Sequence, residues 1–204
     1  MRLQTILLPV FIAAFLFACG GSAEDSTEET NKEQAATQTS DTLGEPEKKI
    51  ENRKLTIEDF KGAVDTTSEY EAFTWWYVYY EYEIASTEGN KVNLTFTVWN
   101  FLGDESWFKK DTLGYEAELL DHEQGHYNFS TLLACDVKEA FEGHSYSKDT
   151  YREDVDSIFN YHFDKYVKLD DLYDEETEHM LNDKKQGEWN LYIAEELLKR
   201  EGKY

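Results

Sequence analysis

Two histidines four residues apart, His122 and His126, bracket an acid in the run Leu119-Leu120-Asp121-His122-Glu123-Gln124-Gly125-His126-Tyr127. Residues at i and i+4 of a helix share a face, so both imidazoles look the same way. Two neutral imidazoles so spaced can hold one Zn2+ at ~2.0–2.1 Å each. Glu123 points toward the same side and reaches a metal-bound water more readily than the metal. That is the position of a general base. A catalytic zinc also needs a third protein ligand and an open position. His179, His162, His144 and several carboxylates compete for that place. His162 falls on an apolar stripe and reads as a core histidine. His144 follows Gly143 in a surface turn, and Glu175 or Glu176 is the replacement if His179 fails. Tyr127 and Tyr173 are candidate oxyanion donors. A bare HExxH run is weak evidence alone, but only five histidines occur in the chain and two fall in it. Gly125 costs roughly 1 kcal/mol inside a helix, so close approach of a neighbouring backbone is expected there.

The elements that must position these groups follow from periodicity. Asp111 or Thr112 is placed to cap a helix running to about Phe141, with Gly143 just beyond it. A second helix is predicted over about Thr150 to Val167, with Tyr151, Val155, Ile158, Phe159, His162, Phe163 and Tyr166 on its apolar face. A third spans roughly Lys184 to Lys199, where Trp189, Ile193 and Leu197 recur at steps of four. Upstream the period is two. Ala72 to Ile84 reads as a strand, as does Val92 to Phe101, with the turn signal Glu88-Gly89-Asn90 between them. The expected fold class is α+β: a small antiparallel sheet followed by helices, with the HExxH run on the first long helix.

The other end of the chain carries a different signal. Ile6 to Phe17 is an apolar run broken only by Pro9 and preceded by Arg2. It is short for a membrane span of ~20 residues and suits a signal-peptide core. It ends in Leu16-Phe17-Ala18-Cys19, which resembles the bacterial lipobox. Residues 1–18 are therefore expected to be a cleaved leader and Cys19 a lipidated anchor, with two or more acyl chains giving stable attachment. Gly20 after the cysteine points to the outer membrane in an organism that has two. Residues 19–52 are polar and acidic and read as a tether, leaving 53–204 as the folded domain. With Cys19 lipidated, Cys135 has no partner, so no disulfide framework is expected. The formal net charge of −23 excludes nucleic acid as a partner, because phosphate binding needs a basic footprint.

Several blocks together resemble a bacterial family of secreted proteins and lipoproteins defined as a domain of unknown function and assigned to the zincin-like metallopeptidases. They are Leu55-Thr56, Asp59-Phe60-Lys61-Gly62, Ser106-Trp107, the His122–His126 run, Tyr173-Asp174, Glu176-Thr177, His179, Gln186 and Trp189. The resemblance covers nearly all of residues 55–200. Ile57 and Met180 depart from it, standing where a Trp and a Gly are usual. It implies a zincin-like fold and one Zn2+ per chain, held by His122, His126 and His179. It also implies a hydrolase, read here as a peptidase of the cell envelope acting on a peptide or protein; the residues themselves put Glu123, as the base, and Tyr127, as an oxyanion donor, in the catalytic set. Two other readings compete: a zincin-like binding module without catalysis, and a structural lipoprotein stabilised by zinc. An open ligand position facing a groove goes with the enzyme, and a closed ligand set with structure.

Overall fold

The computed structural model describes residues 47–110 and 114–204. The leader, Cys19 and the tether as far as Pro46 lie outside the described residues, as do the cap candidates Asp111 and Thr112. Two long strands, β2 (Trp76–Glu88) and β3 (Lys91–Leu102), form an antiparallel hairpin. Its two-residue loop has Gly89 at φ +58°, the first loop position, where a positive φ favours glycine. A bulge falls between Ile84 and Ser86. The short strand β5 (Tyr146–Ser147) adds to the other edge of β3. A separate two-stranded sheet pairs β1 (Ala72–Phe73) with β4 (Trp107–Phe108). The single strand expected from Ala72 to Ile84 is thus two, because Thr74 and Trp75 leave the ladder between them.

Three helices follow: α1 (Glu116–Gly143), α2 (Tyr151–Thr177) and α3 (Asp183–Lys199). Small antiparallel sheets precede the helices, and the histidine motif sits on the first long helix, as the α+β reading expects. Residues 129–135 of α1 are buried without a break, because sheet, α2 and α3 all pack on this helix. Tyr80 and Phe96 from the sheet meet Phe141 of α1, with ring centroids 5.0 and 4.4 Å away. Cys135 lies in this core as a free thiol, and burial pushes its pKa up to about 11.

Two polar ties connect the upstream segment to α1. Asn100, 1% exposed, accepts from the Glu51 backbone at 2.7 Å and donates to the Glu51 carbonyl and to Ser130 Oγ. Gln124 accepts from the Leu55 amide at 2.6 Å and donates to the Arg53 carbonyl. Among the described residues, Ile50 is the first that is buried.

Helix α2 ends at Thr177 rather than near Val167. Its inward stripe passes from Val155, Phe159 and Tyr166 to Asp170, Tyr173, Asp174 and Thr177. The apolar signal therefore fades while the buried face continues. Between α2 and α3, Glu178, His179 and Met180 all have positive φ, at 51°, 51° and 75°. Left-handed backbone costs a residue with a Cβ roughly 1–2 kcal/mol. Hydrogen bonds offset this, from the His179 amide to the Asp174 carbonyl and from Asn182 to Thr177. Met180 also packs on the cluster of Leu55, Phe60 and Leu119.

Candidate metal centre

The helical spacing brings the two motif imidazoles together: His122 Nε2 and His126 Nε2 are 3.2 Å apart. The third member of the group is Asp174 of α2. Its Oδ1 lies 3.1 Å from His122 Nε2 and 3.0 Å from His126 Nε2. Ligand atoms ~2.0–2.1 Å from a tetrahedral zinc are about 3.3–3.4 Å apart, so the three sides of this triangle are within a few tenths of an ångström of that spacing. The histidines are buried and Asp174 is half-buried.

The other ring nitrogens show why a cation fits. His126 Nδ1 lies 2.8 Å from Asp170 Oδ1, and an ionised carboxylate can only accept, so Nδ1 carries the proton. His122 Nδ1 faces Gln186 Oε1 at 3.0 Å, while Gln186 Nε2 donates to Tyr173 Oη and Asn190 Oδ1. In the neutral rings both Nε2 atoms then present lone pairs toward each other and toward a carboxylate oxygen. Three such atoms repel unless a positive charge sits among them. One proton can satisfy only part of the set, whereas a divalent ion satisfies all three. The same demand sets the electrostatics. Burial disfavours charge on His126, but Asp170 and Asp174 outweigh it and hold the imidazole well above its ordinary range. Burial likewise opposes ionisation of Asp174, yet His126 and His122 hold its carboxyl far below the usual carboxylate range. These residues form a His/His/Asp group compatible with a single Zn2+ and consistent with a zincin-like site.

Glycine 125 has a specific neighbour. A Cβ at that position would fall on the hydroxyl end of Tyr173. The approach anticipated from the sequence is therefore a side chain rather than a backbone. Tyr173 is fully buried. Its ring stacks on His122 at 4.7 Å and meets His126 edge-on at 5.0 Å. Its hydroxyl donates to the His122 carbonyl at 3.0 Å. Both His122 and Tyr173 are thus locked by a ring of hydrogen bonds closed through Gln186 of α3, the outer support that fixes a ligand's tautomer and direction.

Glu123 is 4% exposed and accepts from Thr74 Oγ1 at 2.5 Å. Thr74 stands at the break between β1 and β2, and Ser106 fixes that break. Ser106 Oγ accepts from the Trp75 amide at 2.8 Å and donates to the Trp75 carbonyl at 3.1 Å. Gly62 completes the clamp, since a Cβ there would strike the carbonyls of Glu105 and Ser106.

The remaining predicted residues fall elsewhere. Tyr127 is fully buried and its hydroxyl donates to Glu51 at 3.0 Å, with Arg53 over its ring. His179 stands outside the three-residue group. Its Nδ1 is 3.5 Å from Asp174 Oδ1, its side chain is 47% exposed, and its ring packs on Tyr70 at 4.9 Å. His162 keeps a buried Nδ1 without a hydrogen-bond partner among the described residues, and burial lowers its pKa. His144 pairs only loosely with Asp154, at 3.5 Å. Asp174 stands in the Tyr173-Asp174 block, but nothing in that block alone marks it as a ligand. The available signal was the carboxylates spaced four apart, Asp170 and Asp174, continuing the buried stripe of α2.

The chain belongs to a family of bacterial proteins described as "Bacterial protein of unknown function (DUF922)", whose family model matches residues 39–180. The match ends at Met180, so α3 lies beyond it while still supplying Gln186 to His122. No curated protein and no solved structure matches the chain.

Proposed function

We propose that this protein is a zinc-dependent peptidase of the bacterial cell envelope, attached to a membrane through lipid on Cys19. The observation that carries the catalytic part is the convergence of His122, His126 and Asp174, with the buried Glu123 following His122 in the helix. Glu123 is a buried carboxylate that makes no ion pair among the described residues. In this reading Asp174 takes the third ligand place that the family resemblance assigns to His179. Tyr127, whose hydroxyl is engaged by Glu51, has no catalytic role. Zinc held by the three side chains supplies Lewis acidity and makes water easier to deprotonate. Glu123 accepts the proton of the attacking water and returns it to the leaving amine. Thr74 holds Glu123 Oε2, which leaves the other carboxylate oxygen for that proton. Asp170 and Gln186 keep both Nδ1 atoms protonated and both Nε2 atoms free to bind.

The anchor rests on Leu16-Phe17-Ala18-Cys19 and the apolar run before it. Gly20 favours the outer membrane, and the polar segment from Cys19 to about Lys49 serves as the tether, because Ile50 and Glu51 already belong to the packed domain. A second reading rests on His179, close enough to Asp174 to close the ligand set on a small movement. A closed set would make the zinc structural.

The decisive comparison is wild type against Glu123→Gln, screened on envelope proteins and a diverse peptide library with a chelator control. Glutamine keeps the size and a hydrogen-bonding oxygen but accepts no proton at neutral pH. We expect full zinc content, an unchanged fold and a kcat lower by ~10²–10⁴-fold. Equal kcat in the zinc-loaded variant would overturn the base assignment. A wild type with zinc but without turnover would leave the binding-module or structural reading.

A further inference from the structure

The most anomalous backbone in the described chain delivers one side chain to the rim of the metal centre. Glu178, His179 and Met180 are three successive left-handed residues, none of them glycine. The turn is over-determined at both ends. The His179 amide is tied to the Asp174 carbonyl and, just past the turn, the Asn182 amide to that of Thr177, while Met180 is seated on the Leu55–Phe60–Leu119 cluster. Backbone held this way against its preference marks places where position matters more than ease. Here it fixes His179 with one ring nitrogen 3.5 Å from Asp174 Oδ1, the ring braced on Tyr70, and about half of the side chain open to solvent. His122 and His126, by contrast, are buried and both of their nitrogens are engaged. His179 is thus the imidazole of the centre that an incoming molecule can touch.

The geometry points to His179 as a catalytic hydrogen-bond donor to the carbonyl oxygen of the scissile bond, rather than as a metal ligand. The inference rests on the peptidase reading. In the step concerned, the oxygen of water forms a bond to the carbonyl carbon and the C=O π pair moves onto the carbonyl oxygen. Glu123 takes the water's proton, and the ring N–H of His179 donates a hydrogen bond to that oxygen without giving up its proton. When the pair returns, the carbon–nitrogen bond breaks and the proton on Glu123 goes to the nitrogen. Charge grows on the carbonyl oxygen only as the reaction proceeds, so a donor aimed there acts on the transition state more than on the bound substrate. Tyr127, the donor expected from the sequence, has its hydroxyl on Glu51 instead.

The test uses the zinc-loaded full chain and the peptide substrate found in the screen above. His179→Phe keeps a flat ring against Tyr70 but has no N–H. His179→Gln keeps an N–H donor. We expect His179→Phe to bind zinc at wild-type stoichiometry and to lower kcat by ~10²–10³-fold, with KM within about threefold. His179→Gln should recover at least tenfold of that loss. Apart from turnover, a phosphonate analogue of the same peptide carries a tetrahedral, negatively charged oxygen. Calorimetry should show it binding His179→Phe at least tenfold more weakly than wild type and His179→Gln within about threefold of wild type. Loss of zinc in both variants would make His179 a ligand and overturn the inference while leaving a metal centre in place. Unchanged kcat and phosphonate affinity in His179→Phe would overturn it with the peptidase reading intact. Absence of wild-type turnover would sink both.

Discussion

Replacing Gly125 with alanine should destabilise this protein, although the same change in an open helix position would stabilise it. Alanine gains about 1 kcal/mol of helix propensity over glycine. Against that, the three heavy atoms nearest to the new methyl all belong to Tyr173. That ring is fully buried and cannot swing into solvent. Overpacking of this kind costs roughly 1–3 kcal/mol. Moving the ring also strains the bonds of its hydroxyl to the His122 carbonyl and Gln186, worth about 1 kcal/mol each. The balance is a loss of about 2 kcal/mol, or a Tm lower by about 4–8 °C for a domain of this size. Thermal unfolding followed by circular dichroism in excess chelator isolates the fold from metal binding. Zinc affinity, measured separately, should fall by about tenfold or more, because Tyr173 stacks on His122. A Tm that rises by 2–4 °C would mean that propensity alone governs the position and that Tyr173 is not pinned against α1.

Three further outcomes are expected. Asp174→Ala and His126→Ala should each abolish stoichiometric zinc binding measured by elemental analysis, whereas His179→Phe should leave it unchanged; the opposite pattern would restore His179 as the third ligand. Asp136 on α1 accepts from Tyr166 at 2.8 Å and pairs with Arg200 at 2.6 Å. Burial raises its pKa, but Tyr166, Arg200 and Lys165 outweigh that and hold it below the usual carboxylate range. Its contribution is therefore fully present above the unfolded-state pKa of about 3.9 and is lost as pH falls through the lower folded value. Asp136→Asn should cost about 2–4 kcal/mol at pH 7, with a gap in denaturant midpoint that narrows only below about pH 4; a gap that persists unchanged at pH 2 would refute the assignment. Cys19→Ala should abolish incorporation of labelled fatty acid, and normal labelling of that variant would remove the lipobox from the account.

The parts of the fold legible in the sequence are those with a strong local period. β3 and α3 lie within a residue or so of expectation, because Val92, Phe96 and Val98 alternate cleanly and Trp189 and Ile193 recur at four. The end of α2 was not legible. Past Val167 its buried positions are Tyr173 and Thr177, flanked by the half-buried Asp170 and Asp174, and a carboxylate facing inward looks like a loop residue until the imidazoles that receive it are known. Asp174 was hidden for the same reason, since its partners lie 52 and 48 residues away on another helix. Gly125 announced a close approach but could not name Tyr173. Thr74, likewise, becomes informative only once Ser106 is seen to hold the strand break beside Glu123.

The two helices that share the centre give metal binding a mechanical meaning. His122 and His126 come from α1 and Asp174 from α2, with 52 residues separating the outer pair. An ion bound to all three closes that loop as a disulfide would, in a domain whose one described cysteine is free. By the loop-entropy relation, a closure of this length restricts the unfolded chain by about 4 kcal/mol. The unfolded chain still offers the His122–His126 pair as a weak foothold, but the complete grip exists only once α2 has docked on α1. A zinc ion gripped in this way would staple the two helices together. Chelation should loosen the α1–α2 seam first, and local amide exchange at Asp170 to Thr177 should rise before the strands of the hairpin respond.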